Sequence, residues 1–392
     1  MMSFWTKFTG CTLYSHFKCL TMLQKIFTTL VLITIFYSSS AAQQASVDTD
    51  SQTYFSSASN KDEKEEPKPA LIITGSADVY YKYDFSKQST NNKTSFTNAQ
   101  NAFSIGMASV KFEHSTPKVS VVADLGFGTR ATEFAYNDLG ILAAIKQAYV
   151  SYTPVEGLKF TAGSWATHVG YELVDPQLNR NYSMSYMFTN GPFTHTGIKA
   201  EYTKGKSGFM LGLSNPTDFR VLPSGQINKK FVIAQYSLAA SDNVKLYANY
   251  VGGKGLDTAI INQFDIVGTA TINKKSSVGL NATLNRSQAW DGNEKKSLEA
   301  QNWWGVAGYF NYDPKENFGL TLRSEFFNDE KGVKGLGTTI FANTLSANYK
   351  VDGFILIPEI RYESAALPIY SNTSGTAASS AVSFTLAAIY KF

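Results

Sequence analysis

The stretch AVSFTLAAIYKF, residues 381–392, ends the chain and alternates apolar with mostly polar side chains. A period of two predicts a β-strand with one apolar face. The apolar face holds Val382, Phe384, Leu386, Ala388, Tyr390 and Phe392, and the other face holds Ser383, Thr385, Ala387 and Lys391, with Ile389 as an apolar exception. Pairing of this strand with the first strand of the same sheet would remove the unpaired edge and close a barrel. The alternative is the edge strand of a soluble sandwich.

The composition requires that membrane insertion of this chain, if it occurs, uses strands rather than a helix. Aromatic residues make up 14% and charged residues only 17% of the 392 residues, against an average of roughly 25% charged. No apolar run approaches the roughly 20 residues that a membrane helix needs. A chain of this length could form two domains, but barrels often reach it as one unit.

Residues 1–42 have the features of a leader and secretory signal peptide. An apolar run at 26–37 follows Lys25 and precedes small residues, which predicts cleavage after Ala42. Met22 is the natural start of such a peptide, and the choice between Met1 and Met22 stays open.

The mature chain is close to neutral. Three of the 35 basic residues and none of the 31 acidic residues precede residue 43, which leaves a net charge of +1. Nucleic-acid binding therefore loses its electrostatic basis. Both cysteines, Cys11 and Cys19, lie in the leader, so the mature chain needs no disulfide or metal–thiolate centre.

Residues 43–70 are rich in Ser and Gln and then densely charged, which predicts a disordered periplasmic tail; a tether to a partner is the alternative.

From residue 71 to residue 392 the period-two pattern predicts about sixteen strands. In the first, Asp78 and Lys82 face one way while Val79 and Tyr81 face the other. The other strands are predicted at 103–112, 119–129, 144–152, 158–166, 194–202, 208–214, 231–238, 244–251, 263–272, 278–285, 303–312, 318–327, 340–349, 354–362 and 381–392. Most have the roughly 9 to 11 residues of a tilted membrane strand.

Short turns alternate with long loops between these strands. The long loops are predicted at 86–101, 130–142, 168–193, 215–229, 253–261, 288–301, 329–338 and 364–379. Such alternation is typical of outer-membrane barrels, with short periplasmic turns and long extracellular loops. We therefore predict an all-β fold, a transmembrane antiparallel up-and-down β-barrel of about 16 strands over 71–392, located in the outer membrane.

Aromatic spacing assigns the outward face. The last five strands carry pairs eight residues apart: Trp304 and Tyr312, Phe318 and Phe326, Phe341 and Tyr349, Phe354 and Tyr362, Phe384 and Phe392. Eight residues on a strand tilted by roughly 40° span about 20 Å of height, close to the apolar band between two aromatic girdles. The opposite face carries charges that would be costly in a packed core, so we predict that Lys159, Lys199, Glu201, Arg323, Glu325, Glu359 and Arg361 line a water-filled pore.

Several runs in the first half of the predicted barrel resemble a known family. They are QAYVSYTP (147–154), GLKFTAGSW (157–165), VGYE (169–172), NRNYSMSYMF (179–188) and PFTHTG (192–197). They resemble the OmpL-like family of β-barrel porins of Gram-negative bacteria, most densely over 147–202. The resemblance implies a porin fold and passive solute passage, and it transfers no catalytic residue. The terminal Phe392 is similar to the closing residue of outer-membrane barrels, which implies an assembly signal.

The longest loop, 168–193, is predicted to fold into the barrel and narrow it. Its many aromatic residues would waste apolar surface in water. Its charged residues Glu172, Asp175 and Arg180 would then face lumen charges and set a transverse field. Docking on a neighbouring subunit and a surface cap without a role in conduction are the alternatives.

The sequence offers little sign of catalysis or of a cofactor site. His168 and Glu172 are four residues apart and His195 follows the same loop, but two lone histidines are interpreted as polar surface residues rather than as metal ligands. The run DGNE at 291–294 lacks a full calcium ligand set and is interpreted as a solvated loop. No cofactor is expected.

The predicted function is that of a porin, not an enzyme. It would pass small hydrophilic solutes and ions by diffusion. A structural or binding barrel with a closed lumen is the alternative, and a barrel-embedded hydrolase ranks third. The expected partners are outer-membrane lipids, the barrel assembly machinery and small solutes, with homo-oligomerisation left open.

Overall fold

The last strand pairs with the first. In the computed structural model, which describes residues 71–226 and 228–392, Asp84 lies opposite Ser383 and Ser76 opposite Lys391. The pairing extends to the last residue, because the backbone groups of Phe392 and Gly75 exchange two hydrogen bonds of 3.0 Å. The predicted leader, 1–42, and the predicted tail, 43–70, lie outside the described residues.

Sixteen antiparallel strands form the closed barrel, as predicted, each paired with its neighbours in chain order. They are β1 (Leu71–Asp84), β2 (Ala102–Ser115), β3 (Val119–Phe127), β4 (Ile145–Val155), β5 (Leu158–Ala166), β6 (Thr194–Lys204), β7 (Ser207–Ser214), β8 (Phe231–Ser241), β9 (Val244–Lys254), β10 (Ile260–Asn273), β11 (Ser276–Gln288), β14 (Gln301–Lys315), β15 (Phe318–Asn328), β16 (Thr339–Val351), β17 (Phe354–Ala365) and β20 (Ser380–Lys391). Two small hairpins stand outside the barrel sheet: β12 (Trp290–Asp291) with β13 (Lys296–Ser297), and β18 (Tyr370–Ser371) with β19 (Ala377–Ala378).

Burial alternates along the strands as the period of two requires. In β1, Asp78 and Lys82 are buried inside the barrel while Val79 is exposed on the outside. Leu322 of β15 and Leu386 of β20 are exposed on the outer face, 41% and 37% respectively. Ile389, the apolar exception of the last strand, faces inward and is fully buried with Tyr182.

The long loops contain elements that the sequence pattern did not predict. Helices lie at Ser89–Asn91, Thr129–Phe134, Gly140–Ala144, Pro176–Leu178 and Tyr186–Asn190. None of the helices in the described part of the chain is long and apolar enough to span a membrane.

The predicted strand 119–129 is two residues too long, because Gly128, with φ at 118°, ends the strand in a conformation that favours glycine.

Candidate functional site

The loop after β5 enters the barrel and crosses it. We call residues 168–193 the inward segment; its residues 181–188 are all buried. Tyr182 Oη donates to Asp78 of β1 at 2.5 Å, and Gly170 N donates to Asp265 of β10 at 3.0 Å. Burial raises the pKa of the Tyr182 hydroxyl well above its usual value, so it acts as a donor at neutral pH. The inward segment therefore contacts opposite walls of the barrel.

The three charged residues predicted in this loop each meet an opposite charge on the wall. Glu172 Oε1 lies 2.6 Å from Arg323 Nη1. Asp175 Oδ1 lies 2.5 Å from Lys146 Nζ, and Arg180 Nη2 lies 2.5 Å from Asp313 Oδ1.

Wall carboxylates also bind the backbone of the inward segment. Tyr182 N donates to Glu359 at 2.9 Å, and Tyr186 N donates to Glu325 at 2.7 Å. Within the segment, Ser185 N donates to Glu172 at 2.8 Å. An irregular segment without sheet partners leaves N–H groups that need acceptors once they are buried. These carboxylates supply the acceptors.

The arginines that face these carboxylates bind the carbonyl groups of the segment. Arg323 Nη1 donates to Ser183 O and Arg361 Nη1 donates to Met184 O, both at 2.7 Å. Arg361 Nη2 also lies 3.2 Å from Glu325 and 2.9 Å from Glu363. Buried charges are tolerated when they are paired and fully hydrogen-bonded, and here the inward segment completes the pairing.

The seven residues predicted to line the pore all lie on the inward face of the barrel, in two groups. Lys159 and Lys199 flank Glu201 at 3.2 and 3.1 Å on the wall of β5 and β6. The other four face the inward segment and are at most 4% exposed: Arg323, Glu325, Glu359 and Arg361. They are covered by protein rather than by open water, because their charges pair with the segment and with one another.

Inward-facing glycines make room for the segment, and the sequence analysis missed them. A Cβ atom at Gly106 of β2 would lie 2.6 Å from Tyr182 Oη and closer still to the Asp78 carboxylate. Tyr171 packs over Gly279, Met187 over Gly305 and Arg180 beside Gly319. A glycine inside a strand often marks the close approach of another group, and this was the available signal.

Arg130 is a second residue that the sequence analysis missed. It lies in the helix Thr129–Phe134 and is fully buried. Its guanidinium donates to Val174 O at 3.3 Å and Tyr182 O at 3.1 Å, and it lies 4.7 Å from the centroid of the Tyr182 ring. An apolar cluster beside it joins three loops: Phe96, Phe134, Val174, Met184, Phe188 and Phe193.

The histidines lie inside the barrel, so their interpretation as surface residues is wrong. His195 is fully buried and its Nε2 lies 3.0 Å from Thr167 Oγ1, while His168 Nε2 lies 3.2 Å from Tyr250 O. Burial lowers the pKa of His168 to about 4, so its ring is neutral at pH 7. Within 71–226 and 228–392 no three His, Cys, Asp or Glu side chains form a group that could hold a metal ion.

Two cavities lie between the inward segment and the part of the barrel wall that it does not cover. The larger, about 320 Å³, opens among the long loops and is lined by Asp218, Phe231, Gln263 and Asn285 among others. The smaller, about 40 Å³, lies further along the same wall and is lined by residues that include His168. Burial raises the pKa of Asp218 to about 6, although the Phe193 and Thr194 N–H groups donate to its carboxylate.

A closed sixteen-stranded barrel with an apolar outer face, a polar inner face and an inward loop after the fifth strand defines an outer-membrane porin. Residues 70–392 match the family described as "Putative beta-barrel porin-2, OmpL-like", and the chain belongs to that family. No curated protein sequence matches the chain.

Solved structures share this fold at low sequence identity. The trimer form of OmpT of Vibrio cholerae is similar with a TM-score of 0.56 and 11% identity, over 83% of this chain and 99% of that one. The outer membrane channel DcaP of Acinetobacter baumannii has a TM-score of 0.54 and 11% identity, over 84% and 99%. A porin structure refined at 1.8 Å resolution has a TM-score of 0.52 and 12% identity, over 82% of this chain and 100% of that one.

Proposed function

We propose that this porin passes small hydrophilic solutes through a lumen that the inward segment narrows, without catalysing a reaction. The observation that carries this proposal is the course of residues 168–193 across the barrel, anchored to β1, β10 and β15. Because the segment is held on several walls, we place the solute path along β5 to β11, whose residues line the two cavities.

The charged residues take two roles in this proposal. Glu172, Asp175 and Arg180 fix the constriction through their wall partners. Lys159, Lys199 and Glu201 set the charge of the path on the periplasmic side, since Lys159 remains 31% exposed in its side chain. A path lined by fixed charges selects ions as well as solute size.

A closed barrel that binds partners through its loops is the second candidate. The complete burial of residues 181–188 and the small volume of the inner cavity favour it. A barrel of this kind would carry no steady ion current.

A catalytic role finds no support in the histidines. His168 and His195 bind a backbone carbonyl and a threonine hydroxyl, and their ring centroids are 5.1 Å apart in a buried site.

Oligomerisation has one line of support, because the Vibrio cholerae structure with the same fold is described as a trimer. We propose that this chain forms homo-oligomers too, and that Phe392 directs its assembly.

Ion current through the refolded mature chain in a planar bilayer tests the proposal. We expect discrete single-channel steps that are small for a barrel of sixteen strands. Correctly folded protein, identified by heat-modifiable gel mobility, that gives no steps would favour the closed barrel.

A further inference from the structure

The geometry points to a binding site for a neutral, hydroxyl-rich solute of the size of one sugar ring in the 320 Å³ cavity among the long loops. We call this space the mouth cavity. The inference rests on the proposed function, because it names the solute class that enters the path. Binding can nevertheless be measured without any ion current.

An unused donor is the first observation. Gln263 of β10 is only 4% exposed and lines the mouth cavity. Its Oε1 accepts a hydrogen bond from Asn285 Nδ2 at 3.2 Å, whereas its Nε2 has no partner among the described residues. Leaving a buried donor unpaired is costly, so a ligand that accepts a hydrogen bond there gains the full benefit.

Amide and hydroxyl groups continue from this donor along the wall. Ser287 Oγ donates to Asn285 Oδ1 at 2.7 Å. The Nδ2 group of the same Asn285 amide donates to Gln263. Side-chain amides both donate and accept hydrogen bonds. They match solute hydroxyls, which also do both.

The other side of the cavity is apolar. Phe231 and Val251 line it and are 1% and 2% exposed, and Phe219 lies beside them. A sugar ring presents C–H groups on its faces and hydroxyls at its edge, so it complements an apolar surface that meets an amide wall. The volume is at the lower end of the range for ligand sites, which is roughly 300 to 1,000 Å³.

Two of the three charged residues that line the cavity, Asp218 and Lys334, are already engaged by protein, and the third, Asp257, is exposed to solvent and accepts a hydrogen bond from Ala259 N. This arrangement favours a neutral ligand over an ion. Asp218 Oδ1 accepts from Phe193 N and Thr194 N at 2.7 Å, and its Oδ2 accepts from Tyr136 Oη at 3.0 Å. The Lys334 amine lies 5.6 Å from the Trp303 ring centroid. A charged solute would have to compete with these contacts.

Calorimetric titration of the detergent-refolded mature chain with glucose tests the site. We expect saturable binding with a Kd in about the millimolar range. Gln263→Leu should weaken it about five- to tenfold because one buried hydrogen bond is lost. Gln301→Leu is the matched control, since Gln301 of β14 lies opposite Ser287 but does not line the cavity, and it should bind like the wild type.

Comparison with charged analogues distinguishes the ligand class. Gluconate and glucosamine should bind more weakly than glucose, and tighter gluconate binding would indicate an anion site and overturn the inference. Absence of a heat of binding in the folded wild type, or equal binding by Gln263→Leu, would also overturn it. If Gln263→Leu fails to show heat-modifiable mobility, Asn285→Leu takes its place. Channels that conduct but bind no glucose contradict this inference alone, whereas binding without conduction contradicts the proposed function alone.

Discussion

Glycine is the residue that lets the inward segment lie against the barrel wall. At Gly106 the hydrogen of glycine leaves room for the Tyr182–Asp78 hydrogen bond, and no larger side chain fits there. The period-two pattern predicts which residues face inward, but it cannot predict what covers them. Tyr182 is far from Gly106 in sequence, and their contact depends on the path of a loop that has no periodic pattern.

Gly106→Ala should loosen the inward segment by forcing Tyr182 away from Asp78. We expect the variant to be destabilised by about 1 to 3 kcal/mol, the usual cost of overpacking. The measurement is the urea concentration at the midpoint of unfolding in lipid micelles, which should be lower than for the wild type. Gly308→Ala is the control, because a Cβ atom there meets nothing within 4 Å. Equal midpoints for the two variants would contradict this account of Gly106.

His168 should make the barrel sensitive to acid. Its pKa falls from 6.5 to about 4 on burial, so its contribution to stability is present above pH 6.5 and is lost as the pH falls toward 4. The full loss is about 3 kcal/mol, at 1.36 kcal/mol for each pKa unit.

The measurement is the unfolding midpoint of wild type and His168→Gln between pH 7.5 and pH 4. The wild type should lose stability relative to the variant across this window. His114→Gln, at an exposed position of β2, should follow the wild type. Parallel curves for the wild type and His168→Gln would show that the buried ring does not control the acid response.

The inward segment is the element on which the candidate site depends. Its aromatic content predicted that it would not stay in water, and its charged residues were identified from the sequence. The wall residues that it covers could not be separated from open pore residues, because Arg323 and Lys159 have the same position in the strand pattern. Only the course of the segment distinguishes them. The helix Thr129–Phe134 was missed because six residues are too few for a helical period to show.

Arg323→Gln should destabilise the barrel rather than merely change its ion selectivity. The variant leaves Glu172 without its buried partner at 2.6 Å, and breaking a buried pair costs roughly 3 to 5 kcal/mol. Lys111→Gln is the control, because its pair with Glu113 is solvent-exposed and such pairs contribute at most about 1 kcal/mol. Chemical unfolding should show a much larger loss of stability in Arg323→Gln than in Lys111→Gln. A stable Arg323→Gln variant with altered ion selectivity would show that Arg323 lines an open pore.

At the scale of the whole molecule, closure of the sheet follows from the last strand. The alternation of residues 381–392 predicted both the strand and its pairing with β1. The strand number and the alternation of turns and loops were also predictable, because both repeat along the chain. Hairpins such as β12 with β13 lie outside that repeat, and the pattern did not predict them.

Leu322→Arg should destabilise the barrel by roughly 2 to 4 kcal/mol, because the substitution places a charge on the lipid face near mid-strand. The charge-conserving change Lys159→Arg on the inward face serves as the control and should cost much less. Folding yield in lipid vesicles and the urea midpoint measure both. Similar costs would show that the inward and outward faces are wrongly assigned.

We expect the inward segment to narrow a conducting barrel. Removal of residues 174–190 from the mature chain deletes Asp175, Arg180 and the buried core of the segment, and water then solvates the charges on the wall. Single-channel conductance of this variant beside the wild type is the most direct measurement. A severalfold higher conductance with intact heat-modifiable mobility is the result we predict, and unchanged conductance and ion selectivity in a folded variant would contradict the account.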